Sequence, residues 1–227
     1  MKRAKNYKKI TEVTKKASDL KSYLEAVCTT NPYKFDQSIE LKIAVKRSGK
    51  NATPYKVSVT YPNSFGKNVK VLVLAETDDA KKALSAGADY AGLDEYVDKI
   101  ANENWMDFDV VIATPSVMTK IVKLGRVLGT KGLMPNPKTG TVVTDVESAV
   151  KEFKAGKKNF KEDKTGVINT VVAKTSQGSE KALENIKALA EAIKEVSPNL
   201  FNEINSIYIK TTMGPSFKVS PSEIMGL

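Results

Sequence analysis

The chain has 227 residues, 41% of them hydrophobic, enough to bury one large core or two smaller ones. Its 36 lysines and arginines against 26 acids leave a formal charge of +10, which points to a polyanionic partner, nucleic acid ahead of membrane surfaces and acidic proteins. Histidine is absent and there is one cysteine, which removes the commonest general base, the usual triads, nearly all zinc sites and any internal disulfide.

The start, "MKRAKNYKKITEVTKK", is basic with no apolar run behind it, so it does not read as a secretory signal. No stretch reaches the ~18–20 apolar residues of a membrane span. "LEAVCTT" reads as helix, with Cys28 a small hydrophobe on it; a lone thiol fits a reducing compartment. "FDQSIELKIAVKR" then sets Ile39, Leu41, Ile43 and Val45 at period two, and "PYKVSVTYP" does the same with Val57, Val59 and Tyr61. Both predict half-exposed strands of an antiparallel sheet.

From about Lys67 to Lys157 the pattern changes. "VKVLVLA" (Val69–Ala75) is an apolar run suited to a strand buried on both faces, and "TDDAKKALSAG" is a short helix ending at Gly87. "ADYAGL" predicts a second strand. "DEYVDKIANEN" predicts a helix with Leu93, Tyr96, Val97 and Ile100 on one side. "FDVVIA" (Phe108–Ala113) is a third strand, followed by a helix with Pro115 in its first turn. "TDVESAVKEFKAG" opens on a capping box, Thr144 and Glu147, buries Val146, Ala149, Val150 and Phe153, and closes at Gly156. Repeated strand–helix units mean a parallel sheet with helices on its faces.

Beyond Lys157 the half-exposed pattern returns in "GVINTVVAK" and "INSIYIKTT". Between them a helix opened by Ser179 and stopped before Pro198 carries Leu183, Ile186, Leu189, Ile193 and Val196 on one stripe. Each flank alone is marginal for a stable core. Residues 1–66 and 158–227 are therefore expected to form one split α+β domain, with 67–157 inserted as a Rossmann-like, three-layer α/β domain. The two crossings, near "NSFGKN" and "KAGKKNFKEDKTG", then permit relative motion.

The densest cluster of special residues is "LGRVLGTKGLMPNPKTGTV", Leu124 to Val142. A Walker loop fails on spacing, because Gly125 and Gly129 are one residue too close and Thr130-Lys131-Gly132 reverses the required ending. A Rossmann fingerprint fails because acids, not glycines, follow "VLVLA". An ordinary loop would also hold glycines and prolines. Arg126, Lys131 and Lys138 on a backbone held by Pro135 and Pro137 fit a rigid basic rim facing phosphates. The competing class is a nucleotide- or phosphometabolite-binding enzyme on the inserted sheet; no catalytic residue, cofactor or metal ligand is assigned.

That stretch resembles the signature of the L-one family of large-subunit ribosomal proteins. "KFDQS", "AGADYAG", "WMDFDVVIATPSVM", "FKEDKTGVINTVVAK" and "IYIKTTMGPSFKV" resemble further family segments, in the family's order. The resemblance implies the same split-and-inserted fold with a hinge. It implies binding of large-subunit ribosomal RNA at a mobile stalk beside the exit site, and help for deacylated transfer RNA to leave. It also implies repression of the protein's own messenger RNA through a leader, and a cytoplasmic monomer within the ribosome. Its RNA-binding residues would be Phe35, Thr211, Thr212, Met213 and Gly214, with Lys174 and Asn169. Gly214 would permit close backbone approach, the threonine hydroxyls would reach phosphate or 2′-hydroxyl, and Phe35 and Met213 would cover sugar and base. Arg126, Lys131 and Lys138 would meet transfer RNA or stalk RNA.

The chain departs from the family pattern in three places. Thr130 stands where the family usually has proline, so the loop is expected to be less rigid. Asn169 stands for the family's histidine and keeps a neutral hydrogen-bonding group. "SGKNATPYKVSVTYPNSFGK" lacks the family's usual residues, so no contact carries over there.

Overall fold

The structure, a computed structural model, describes residues 5–46, 55–65, 69–103, 105–163, 165–196 and 203–225. The chain divides into two compact units, Met1–Gly66 with Asn159–Leu227, and Lys67–Lys158. The first opens with helices α1 (Lys5–Thr14) and α2 (Leu20–Thr29) and strands β1 (Ser38–Val45) and β2 (Lys56–Thr60). The second runs β3 (Val71–Leu74), α3 (Thr77–Ser85), β4 (Tyr90–Gly92), α4 (Asp94–Glu103), β5 (Val110–Ala113), α5 (Met118–Ile121), α6 (Gly125–Lys131) and α7 (Val146–Ala155). Then follow β6 (Lys157–Lys161), β7 (Val167–Lys174), α8 (Ser179–Val196), β8 (Ile204–Thr211), β9 (Phe217–Val219) and α9 (Pro221–Met225).

In the first unit an antiparallel sheet has the order β7-β1-β8-β9. The period-two residues Ile39, Leu41, Ile43 and Val45 all point into the core, where α2 contributes Leu20, Tyr23 and Leu24 and α8 contributes Ile186, Leu189 and Ile193. Each such fully buried side chain stabilises by roughly 1.5–3 kcal/mol relative to exposure. Leu183 is only partly buried, and the side chain of Val196, like Pro198, lies outside the described residues. The alternate residues Glu40, Lys42, Tyr208 and Lys210 line the sheet's other face, paired across strands as Glu40↔Lys210 and Lys42↔Tyr208. Val57, Val59 and Tyr61 are buried as expected, but β2 joins β6 in a separate two-stranded sheet. The "KAGKKNFKEDKTG" stretch, read above as a crossing, holds that β6, whose lysine-rich sequence hides a strand.

The second unit is a parallel sheet in the order β4-β3-β5. β3 is buried throughout because both faces are covered. Val71 and Val73 meet Ala83 of α3 and Val150 and Phe153 of α7, whereas Leu72 and Leu74 meet Ile100 of α4, Ile121, Leu124 and Leu128. Gly87 lies at φ +101° just past α3, a backbone conformation that favours glycine. The cap of α7 is one residue later than expected. Asp145, not Thr144, is the N-cap; its Oδ1 accepts from the Glu147 and Ser148 amides at 3.2 and 3.4 Å. A carboxylate there also opposes the helix dipole's positive end.

Candidate ribosomal RNA interface

The "TTMGP" segment leaves β8 and turns into β9. Its geometry is set by what lies beneath it. Thr211 is wholly buried, with its hydroxyl unpartnered, directly under Gly214. A Cβ on Gly214 would collide with Thr211 Oγ1, so close approach, and not a positive φ, demands glycine. The expectation that the Thr211 hydroxyl reaches RNA is corrected here, because the β8 alternation turns that side chain inward. Thr212 points outward, but its hydroxyl accepts from the Ser38 amide at 3.1 Å and ties the turn to β1. Behind the turn, the Tyr23 hydroxyl donates to the Pro215 carbonyl at 2.8 Å, and its ring stacks on Phe217 at 4.9 Å. Burial pushes that phenol far above its ordinary range, so it remains a donor.

Two large apolar side chains of this unit stand out among the described residues: Phe35, 47% exposed, and Met213, 49% exposed. Gln37, 1% exposed, joins them. Its Oε1 accepts from the Met213 amide at 3.1 Å, and its Nε2 donates to Asn31 Oδ1 at 2.8 Å. Asn31 in turn donates from Nδ2 to the Phe35 carbonyl at 3.1 Å and accepts from the Tyr33 amide. One buried amide thus holds both protrusions from below.

A third strand end completes the cluster. Asp36 accepts from Thr175 Oγ1 at 2.9 Å, from the Ser176 amide at 3.0 Å and from Ser176 Oγ at 2.7 Å. Lys174 Nζ lies 3.9 Å from its Oδ2. Burial opposes its ionisation, but these donors and the ammonium win and hold Asp36 below the usual carboxylate range. Cys28 is half-buried on α2, where burial first and the Asp36 charge second push its thiol up, away from the thiolate form.

Asn169 sits elsewhere on β7, exposed, opposite Lys42, with its Nδ2 3.3 Å from Asp163 Oδ2. Five residues of strand, about 17 Å, separate it from Lys174. An odd spacing should put the two on opposite faces. The register slip between Ile39 and Glu40 inserts an extra β7 residue, so Asn169, Val171 and Lys174 share the open face.

In the other unit the signature stretch is a helix first and a loop second. A 310 turn over Pro115–Val117, α5, a second 310 turn over Val122–Leu124 and α6 run on continuously, keeping Val117, Ile121, Leu124 and Leu128 on the sheet. Arg126 and Lys131 are therefore helical and exposed, not on a loop, and five helical positions turn them about 140° apart. Thr130 lies in the last turn of α6, its hydroxyl donating to the Val127 carbonyl at 2.9 Å. The remaining loop is held by buried Pro135 and by Asn136–Thr141 hydrogen bonds. The side chain of Lys138 lies outside the described residues. At the N-terminus of α3, where a nucleotide phosphate would sit on such a sheet, Glu76, Asp78 and Asp79 present negative charge instead.

Among the described residues no His/Cys/Asp/Glu group could hold a metal ion, and no helix is long and apolar enough to cross a membrane. The model of the ribosomal protein L1p/L10e family matches residues 20–215. That family consists of structural ribosomal proteins acting in translation on the cytoplasmic ribosome, and it is not a family of enzymes. The chain therefore belongs to the ribosomal protein L1p/L10e family and is a large-subunit protein that binds ribosomal RNA.

Proposed function

We propose that the Phe35–Met213 cluster grips the RNA of the mobile stalk beside the exit site. Its support is the pair of exposed apolar side chains held by buried Gln37, a rigid apolar platform suited to sugar and base. Lys174 and, farther along the open face, Asn169 extend the grip to phosphate and 2′-hydroxyl. The two compact units are separate domains, the split one anchoring and the inserted one moving. The inserted one assists release of deacylated transfer RNA, and the same cluster binds a leader in the protein's own messenger RNA. A chain joining residues 1–66 to 158–227 should fold and bind stalk RNA nearly as well as the whole protein. Loss of binding in that folded chain, with binding retained by residues 67–157 alone, would reverse the assignment.

The roles of the two domains separate by charge. Replacing Arg126, Lys131 and Lys138 with glutamine should leave stalk-RNA affinity intact and slow release of deacylated transfer RNA, since phosphate contacts to the moving elbow are lost. A drop of about tenfold in stalk affinity with a shallower salt slope would put these cations on ribosomal RNA instead.

A further inference from the structure

Helix α1 precedes the residues that the family matches, 20–215, and the cluster described above uses none of its cations. Ile10 and Thr14 are buried and mark its inward side. Helical hydrogen bonding carries on through Lys15, whose amide donates to the Thr11 carbonyl at 3.0 Å. At 3.6 residues per turn, Lys5, Lys8, Lys9, Lys15 and Lys16 all fall opposite Ile10, within an arc of about 120°. All five are exposed, and Glu12 is the one acid in that arc. None of the five forms an ion pair among the described residues.

The position of this face gives it a partner. Asn6 Nδ2 donates to the Pro32 carbonyl at 3.5 Å, at the foot of the loop that carries Phe35. Ile10 Cγ2 lies 3.7 Å from where a Cβ on Gly214 would stand. The inward side of α1 thus packs against both RNA elements, and its lysines face outward on the far side of the same helix, about 10 Å across. An acidic protein would need an apolar anchor on this face, and the arc holds only lysines and a glutamate. Lysine's flexible point charge suits the irregular spacing of phosphates.

We propose that the outer face of α1 is an auxiliary phosphate-binding surface. It takes the sugar–phosphate backbone of ribosomal RNA flanking the segment held by Phe35 and Met213. The inference rests on the reading of that cluster as the RNA grip. It adds electrostatic contacts, hence affinity and salt dependence, without base recognition.

The test uses the full chain with Lys5, Lys8, Lys9, Lys15 and Lys16 changed to glutamine, titrated against a stalk ribosomal RNA fragment over a salt series. The expected result is a slope of log affinity against log salt shallower by at least two contacts' worth, roughly 1.4–1.8. The matching five-arginine variant, which keeps the charge, should retain the slope of the natural chain. Both variants should keep their unfolding transition, since all five side chains are exposed. An unchanged slope in the glutamine variant, with Met213→Asp still weakening binding, overturns the auxiliary surface and leaves the grip standing. Indifference to Met213→Asp overturns the grip itself. Normal RNA binding with loss from assembled ribosomes would assign α1 to a protein neighbour and also overturn the inference.

Discussion

Replacing Met213 with aspartate is expected to weaken binding of stalk ribosomal RNA by about 1–3 kcal/mol, roughly five- to 150-fold. The side chain is 49% exposed and its backbone amide, not its thioether, is what Gln37 holds. A carboxylate there removes apolar cover and sets a negative charge against phosphates, while the turn keeps its anchors at Ser38 and Tyr23. Thermal and urea unfolding should shift by no more than ~0.5 kcal/mol, as for other exposed sites. Binding of the messenger leader should fall in parallel, because both RNAs would use one cluster. Global unfolding of the variant with no separable binding defect would show that "TMGP" is a structural turn alone.

The second large effect is expected at Gln37, which touches solvent hardly at all. Gln37→Met keeps the length of the side chain and removes both hydrogen bonds. It leaves the Met213 amide without a partner and takes one of two donors from Asn31 Oδ1, which keeps the Tyr33 amide, at a cost on the order of 1–3 kcal/mol in urea unfolding. RNA affinity should fall with Phe35 and Met213 both intact, since the platform that aligns them is gone. Gln37→Glu discriminates the cause. A carboxylate can accept from the Met213 amide but cannot donate to Asn31, whereas the protonated acid can do both. Burial raises the folded-state carboxyl above its unfolded value, about 4.3. The penalty should therefore be absent below that pH and grow as pH rises towards the folded value. Full stability of Gln37→Glu at every pH, with Gln37→Met still destabilised, would show that side-chain shape, not hydrogen bonding, governs this position.

Gln37 also shows how far the sequence could be read. The period-two pattern that placed Ile39, Leu41, Ile43 and Val45 inside extends back by one step to Gln37, so its burial was present in the spacing. Its partners were not. Asn31 and Met213 lie six residues before it and 176 after it, and no local pattern pairs them. Phe35, Met213 and Gly214 stand in segments that resemble the family; that Phe35 and Met213 are exposed and Gly214 closely packed is read from the structure alone. Thr211 was misplaced because a motif names residues without saying which way a strand end turns them. The bulge that brings Lys174 onto the face of Asn169 arises from pairing with β1, which spacing along β7 alone contradicts.

The elements that alternation and capping determine came from sequence by itself: the inward face of β1, the doubly buried β3, the closures at Gly87 and Gly156, and the helix of Ser179–Val196. Each depends on chemistry within a few residues. Four features were decided only by tertiary structure. β6 exists in a run of lysines because β2 offers it a partner. The glycine-rich signature begins as helix because Leu124 and Leu128 are drawn onto the sheet, overriding the local preference of Gly125 and Gly129 for turns. Asp145 displaces Thr144 as cap because the register of Val146 and Phe153 on the sheet sets where α7 starts. And the joining of Phe35, Gln37 and Met213 into one cluster needs β1 and β8 to pair antiparallel, which burial of their common face enforces although Gln37 and Met213 lie 176 residues apart.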